Sequence, residues 1–397
     1  MKRRKNGEGS YGEKTIKGVV YKYYCAPDKA WTVYAKTASE LERKKKERES
    51  KQNIPARAGI KALTVSDLCQ MWLLSRKGEI SEGTYDNYED ILTAMVIKFQ
   101  DYDIGNKQVN SLTANMMESY LSALARGYAK NSIDRVWMII KQSIEYGQEN
   151  ELVNINFSLK SVKKPNERTV AVKKKEVHFT TMEDMEILYD ESKRLNSKGT
   201  PIYGNAAKMI VFIMYSGLRV SEAIGLKWRY VEKDFSQIRV MQSHRKVADR
   251  AEDGTPILVD GHKTYHKIQK SPKTESGQRT VPLPKRAREV LEQFFLMFPD
   301  HSADDNVFLT STGTVYMREH VERTLKRMLK NSDCACKDYT PHSLRHGYGS
   351  VLLSEGVDIK TVSVLLGHSD ISITYNIYIH VLEKDKMQAV MNVFDRE

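Results

Sequence analysis

Two proline-broken stretches, the second of them lysine-rich, cut this chain into three parts, and that division limits its fold more than any other feature. "NIPARAG" (53–59) ends a charged helical pattern, and "LKSVKKPNERTVAVKKKEV" (159–177) separates two runs of helical apolar spacing. Proline removes a backbone donor and disfavours the helical region for the residue before it, so neither stretch continues a helix. At 397 residues the chain is also longer than one ordinary core supports. The expected division is a domain over 1–58, a second over 59–162, a linker over 163–177 and a third over 178–397.

Each part has its own periodicity. "GVVYKYYCAPDKAWTVYAKT" (18–37) carries the β-branched and aromatic residues, and the Pro-Asp turn, of a small sheet. "ASELERKKKERESKQ" (38–52) then reads as a helix of i,i+4 charge pairs. From "LTVSDLCQMWLLSRK" to about Lys160, "TANMMESYLSALAR" and "NSIDRVWMIIKQSIEYGQEN" place apolar residues at helical spacing, which predicts four to five helices. Beyond 178, helices alternate with short strand patterns such as "SQIRVMQSH", "ILVD" and "QRTVPLP", the mark of an α+β domain. The fold class expected is therefore multidomain: a small three-stranded β-sheet plus helix, an all-α middle domain, and a mainly α (α+β) third domain.

Charge narrows the partner. The net charge is +12, and residues 1–60 hold 16 Lys/Arg against 7 Asp/Glu, so most of the excess lies at one end. A polyanion is the expected partner, nucleic acid before an anionic membrane surface, and basic residues interleaved with Tyr and Trp favour a folded DNA-docking module over a solvated tail. There is no run of about 18 apolar residues, and "MKRRKN" leads into polar sequence, so a soluble, cytoplasmic protein without a membrane partner is expected. Four cysteines, Cys25, Cys69, Cys334 and Cys336, are too few and too scattered for a disulfide framework.

Three familiar motifs fail on context. Gly7, Gly9 and Gly12 match a dinucleotide fingerprint, yet only six residues precede them, leaving no strand to feed it. "GTPIYGN" has the glycine spacing of a phosphate loop, with Asn205 where its lysine must stand. Cys334, Cys336, His342 and His346 do not have structural-zinc spacing. No cofactor and no metal are expected.

A scattered set of cations followed by one late tyrosine carries more. In "YTPHSLRHGYGSVLLSEG", Pro341 and the apolar run Val351, Leu352 and Leu353 predict a helix that starts near Pro341, with His342 and Arg345 sharing one face. "YSGLRVSEAIGLKW" sets Arg219 beside a glycine at a helix junction, with Glu222 three residues on to hold its guanidinium. "KSPKTESGQRTVPL" puts Lys273 in the expected turn of a β-hairpin, and "LLGHSDISITYNIYIH" adds His368 and Tyr378. Singly each is ordinary, a surface ion pair or a packed ring.

Together, and in this order, "SGLRVSEAIGLKW", "KTESGQRTVPL", "PHSLRHGYGSVLLSEGVDIKTVSVLLGHSDISIT" and "YIH" resemble the tyrosine recombinases, the phage integrase family. The resemblance covers about residues 178–397; the middle domain is similar to the family's helical core-binding (SAM-like) domain, and the basic N-terminal sheet looks like the arm-binding domain of conjugative-transposon and lambda-type integrases. It implies a site-specific recombinase of a mobile element that cuts and rejoins DNA through a 3′-phosphotyrosyl intermediate, independent of metal and ATP. In that reading Arg219 and Arg345 neutralise the phosphorane, His342 and His368 contact phosphate and move protons, Lys273 protonates the leaving 5′-oxygen, Glu222 supports Arg219, and Tyr378 is the nucleophile. Fixed guanidinium forks suit such a transition state. A phenol of pKa near 10 is only about 0.1% ionised at neutral pH, so it needs those cations. The implied partners are double-stranded DNA at core and arm sites, three further copies in a homo-tetramer, and an excisionase or DNA-bending accessory protein.

Some assignments stay open on the residues. Tyr375 precedes Tyr378 by three, and the flanking "Y-I-H" selects Tyr378. His346 is left as a packed or backbone-bonded helix histidine. Residues 243–270 are longer than a tight hairpin needs and read as an inserted DNA- or protein-contacting excursion. The terminal "VLEKDKMQAVMNVFDRE" has helical apolar spacing suited to docking on a neighbouring subunit or on its own domain. A type IB topoisomerase is the rival enzyme, separated by a two-duplex strand-exchange assay. A non-catalytic DNA-binding protein is the other rival, separated by phosphotyrosine trapping.

Overall fold

The computed structural model describes residues 10–16, 19–25, 32–52, 63–173, 179–251, 255–260, 262–270 and 277–378. The chain forms two compact units, one of residues 1–175 with 250–258, the other of 176–249 with 259–397.

In the first unit, β1 (Ser10–Ile16), β2 (Val19–Cys25) and β3 (Thr32–Ala35) form an antiparallel three-stranded sheet in the order β1-β2-β3. Helix α1 (Ala38–Gln52) follows, and its Leu41 is buried with Tyr24 and Ala35. That small cluster leaves Lys14, Lys22, Tyr11 and Tyr34 exposed. Next come α2 (Val65–Ser75), α3 (Glu82–Ile91), a π-helical turn at Leu92–Ile97, α4 (Ala114–Leu124) and α5 (Lys130–Glu149). Thr64 with Asp67, Ser81 and Thr113 cap α2, α3 and α4 through side-chain oxygens that accept otherwise orphaned N–H groups. One continuous core, including Leu68, Trp72, Met95, Tyr120, Trp137 and Ile140, holds these helices. In the segment 250–258 the Arg250 guanidinium forks onto Glu89 at 2.9 and 3.1 Å, bonds Asp86, and lies 4.5 Å from the Tyr85 ring centroid.

The second unit is built around α7 (Gly204–Ser216), which follows α6 (Met182–Ser192). Ala206, Ala207, Met209, Ile210, Val211, Phe212, Ile213 and Met214 are all buried, so α7 is apolar on every side, as a central helix must be. It stops at Gly217, whose φ of +65 places it in the left-handed region that glycine adopts without strain. Helix α8 (Val220–Gly225) starts three residues on.

The strands follow: β4 (Gln237–Val240), β5 (Ser243–Ala248), the short β6 (Leu258–Val259) and β7 (His262–Lys263), β8 (Tyr265–Lys270) and β9 (Arg279–Pro282). Strand β4 pairs antiparallel with β9, and β5 with β8 from Ser243↔Lys270 to Ala248↔Tyr265. Within 243–270, β5 and β8 thus form a two-stranded ribbon of their own, a separate sheet from the β4–β9 pair. Helices α9 (Lys285–Met297), α10 (Arg318–Asn331), α11 (Pro341–Ser354) and α12 (Ile359–Leu366) complete the unit, and residues 371–378 are again helical. Among the described residues no helix is long and apolar enough to cross a membrane. The terminal segment 381–397 lies outside the described residues.

Candidate active site

The junction between α7 and α8 fixes the first guanidinium. With Gly217 turning the chain left-handed, Arg219 becomes the N-cap of α8: its backbone N–H donates to Glu222 Oε2 at 2.8 Å, and its Nη1 donates to Oε1 at 2.6 Å. The i,i+3 pairing expected from "LRVSE" is present, with the arginine side chain 36% exposed and the glutamate 4%.

Glu222 is shared more widely than its sequence neighbourhood suggests. Arg279 on β9 donates to both carboxylate oxygens, at 3.3 and 3.0 Å, and Arg345 Nη1 lies 3.7 Å from Oε2. Burial alone pushes a carboxyl up, but Arg279, then Arg345 and Arg219, outweigh it and hold the Glu222 pKa at about 2. One carboxylate is therefore the common anchor of three arginines.

Helix α11 supplies the next layer. Thr340 caps it in a capping box with Ser343, and Pro341 occupies the first turn, where its missing N–H costs nothing. Arg345 is fully buried; it donates from Nη1 to the Gly217 carbonyl at 2.7 Å and from Nη2 to the Leu366 carbonyl. Among the described residues its Nε is one of the few buried side-chain nitrogens or oxygens without a partner. Burial, then Arg219, lower its pKa to about 9, which leaves it charged at neutral pH. His342, one turn before, is exposed, and partial enclosure and the charges of Arg345 and Arg219 lower its pKa. His368 follows the left-handed Gly367 that ends α12, and its Nδ1 sits 2.8 Å from Thr374 Oγ1. Burial, then Arg345 and Arg219, bring its pKa down to about 4. Both imidazoles are accordingly neutral near pH 7.

Tyr378 is buried completely, its ring among Leu353, Val362 and Leu366 and 5.8 Å from the Phe179 ring, whereas Tyr375 is 45% exposed. Burial raises the Tyr378 pKa and Arg345 opposes it. The hydroxyl meets two residues of α11. Gly349 leaves the space it occupies, since a methyl there would fall 2.7 Å from Tyr378 Cζ, and His346 Nδ1 lies 3.3 Å from Oη. His346 is held neutral, its pKa lowered to about 3 by burial and then by His342 and Arg345. With its proton on Nε2 it accepts from the phenol.

The structure thus gathers Arg219, Glu222 and Arg345 on one carboxylate, sets His342 and His368 beside them electrostatically, and joins Tyr378 to the same helix. Lys273 lies outside the described residues. Sequence reasoning missed Arg279 and the partner of His346. The signal for Arg279 was its place in "QRTVPL" directly after the expected hairpin turn; His346 is packed as expected, but its ring nitrogen faces Tyr378 rather than backbone.

A mainly α unit carrying this arginine and histidine cluster beside a seated tyrosine defines the class: the chain belongs to the phage integrase family, whose family model matches residues 178–385. It is similar to a protein described as "Tyrosine recombinase XerC-like" from Caldanaerobacter subterraneus subsp. tengcongensis, 27% identical over 384 residues, 91% of this chain and 90% of that one. The "Tyrosine recombinase XerD" of Brucella suis biovar 1 is 37% identical over 135 residues, 33% of this chain and 43% of that one. Among solved structures, the Tn1549 transposon integrase in complex with transposon right end DNA superposes with a TM-score of 0.64 at 18% identity, over 84% of this chain and 100% of that one. A lambda integrase dimer bound to a COC′ core site gives a TM-score of 0.54 at 11% identity, over 92% and 94%. At those identities the likeness is one of fold.

Proposed function

We propose that this protein is the integrase of a mobile genetic element, a site-specific recombinase that cuts and rejoins duplex DNA through a 3′-phosphotyrosyl intermediate. One observation carries the reading: three arginines, two of them buried, share a single carboxylate, the Nε of Arg345 is left without a partner, and a tyrosine hydroxyl is seated on the helix that carries Arg345. A buried N–H donor without a partner costs about 1–3 kcal/mol, which a phosphate oxygen bonded to it would recover.

Tyr378 Oη attacks phosphorus as its proton passes to one of the two neutral imidazoles, His342 or His368, the P–O5′ bond breaks, and Lys273 gives a proton to the leaving 5′-oxygen. Arg219 and Arg345 stabilise the nonbridging oxygens, with His342 and His368 as neutral imidazoles beside them. The phosphotyrosine ester keeps the energy of the broken bond, so a 5′-hydroxyl from a second duplex reseals the strand without ATP and without a metal. Because Tyr378 Oη is fully covered, engagement of the duplex has to uncover it. Residues 1–58 bind arm sites, 59–162 and 178–397 grip the core site across the linker 163–177, and four copies act on two duplexes, with an excisionase or DNA-bending protein choosing direction. The setting is the bacterial cytoplasm.

The test is a nicked suicide duplex carrying the ends of the protein's own element. The wild type is expected to form a covalent adduct whose peptide maps to Tyr378, and Tyr378→Phe to form none. An adduct in that variant, or one mapped to Tyr375, would end the reading; relaxation of supercoils without exchange between two duplexes would replace a recombinase with a topoisomerase.

A further inference from the structure

We propose that Arg279, on β9, is a positioning residue for strand cleavage: it fixes Glu222 and the end of α12 so that Arg219, Arg345 and His368 converge on one phosphate. The inference rests on the function proposed above and adds a residue to its machinery.

The hydrogen bonds of Arg279 all run inward. Its side chain is 3% exposed. Nη1 and Nη2 donate to the two oxygens of Glu222, Nη1 also donates to the Gly277 carbonyl at 3.2 Å, and Nε donates to the Leu365 carbonyl at 2.6 Å. A guanidinium spent in this way offers no fork to a phosphate, unlike the half-exposed Arg219 or Arg345 with its unpartnered Nε. Any effect on cleavage has to pass through its partners.

Those partners form a pattern. Three successive carbonyls at the end of α12 each receive one arginine: Leu365 from Arg279, Leu366 from Arg345, and Gly367 from Arg219 at 3.3 Å. The last carbonyls of a helix have no partners within it and carry partial negative charge, so guanidinium groups complement them. His368 is the next residue in the chain. The same three arginines meet at Glu222, so the carboxylate and the helix end are two faces of one frame, and Arg279 is the strut not open to the substrate.

Removing that strut has a direct consequence. A Glu222 deprived of its two bonds from Arg279 turns to Arg345, now 3.7 Å away, and draws the guanidinium toward itself and away from a phosphate. A lysine at 279 restores charge but, as a point charge, does not bridge the carboxylate and the Leu365 carbonyl together.

Adduct formation on the suicide duplex, measured in single turnover with saturating DNA and alongside the DNA dissociation constant, tests this. Arg279→Gln is expected to slow adduct formation about a hundredfold while changing DNA affinity by less than about threefold. Arg279→Lys should recover part of the rate. In a Glu222→Gln background, where there is no carboxylate to hold, Arg279→Gln should cost less than about threefold more. That double variant removes one buried charge of each sign, so the net charge of the buried cluster stays as it is in wild type, where either single change shifts it by one. Rates within about threefold of wild type for Arg279→Gln, a loss confined to affinity, or full additivity with Glu222→Gln would each overturn the proposal. A wild type that forms no Tyr378 adduct would overturn the proposed function with it, whereas an active wild type with an equally active Arg279→Gln overturns this inference alone.

Discussion

Gly349 and His346 together make a seat for the Tyr378 hydroxyl one helical turn beyond Arg345. The seat depends on a missing side chain, because a methyl at 349 would meet the phenol ring at 2.7 Å. Alanine is the better helix former by about 1 kcal/mol, so Gly349→Ala keeps α11 and unseats the ring. Tetranitromethane followed by peptide mass spectrometry reads this against an internal control: in wild type the exposed Tyr375 is nitrated and Tyr378 spared, and in Gly349→Ala both react. Equal nitration of the two in wild type would sink the seat. A nucleophile displaced by about 1 Å also slows adduct formation, on the order of a hundredfold. His346 gives a second prediction. Its folded pKa of about 3 lies below the ordinary 6.5, so the unfolded chain takes up a proton that the folded chain refuses. Its contribution is whole above pH 6.5 and is lost as pH falls from there toward 3, at up to about 1.4 kcal/mol per pH unit. Urea unfolding at pH 7 and pH 4.5 should show a smaller loss for His346→Phe than for wild type. At this scale the sequence exposed the residue types and hid their sorting. "HSLRH" shows an arginine and two histidines on neighbouring helical positions, but which is buried, which meets a phenol and which faces outward depends on Tyr378 and Glu222, 32 residues after His346 and 123 before Arg345.

The elements that frame the cluster end where the chemistry needs them to. Helix α7 stops at a left-handed Gly217, whose carbonyl receives Arg345 Nη1 at 2.7 Å and whose missing Cβ makes room for the Tyr348 ring, 2.5 Å from where it would stand. Gly217→Ala meets strain and overlap together, so a loss of about 2 kcal/mol or more is expected, read as a lowered unfolding midpoint. Because the Gly217 carbonyl anchors Arg345, the adduct should also form more slowly at temperatures where the variant remains folded; stability and rate both unchanged would contradict this. The start of α11 was legible from Thr340-Pro341 and its apolar run, since capping and a first-turn proline are local effects. The four α-helices over 65–149 and the three-stranded sheet were legible for the same reason, their apolar spacing and aromatic strands being written into contiguous residues. Strand pairing was not. The stretch 243–270 reads in the sequence as an inserted excursion too long for a tight hairpin, and its pairing of β5 with β8, in a sheet apart from β4 with β9, is a long-range choice that alternation within a strand does not fix.

Over the whole chain, positive charge and the arginine cluster lie in different places and should be separable by experiment. Most of the +12 net charge is carried by residues 1–60, and within them the β1–β2–β3 sheet leaves Lys14 and Lys22 exposed over a core that, among the described residues, consists of Tyr24, Ala35 and Leu41. The second unit instead gathers Arg219, Arg279 and Arg345 on one shared carboxylate, with Arg279 and Arg345 buried. Counterion release makes duplex affinity fall linearly with the logarithm of salt, with a slope near 0.9 per phosphate neutralised. Lys14→Gln with Lys22→Gln should therefore reduce the salt slope for a duplex probe by up to about 1.8, with the full protein titrated between 50 and 200 mM salt. The same double variant should form the Tyr378 adduct at the wild-type rate once DNA is saturating, because neither lysine is among the groups around Glu222. An unchanged slope would remove the N-terminal sheet from the DNA contact. A slowed adduct at saturation would mean that the sheet acts on the chemistry itself, against the division of binding from cleavage that the charge distribution implies.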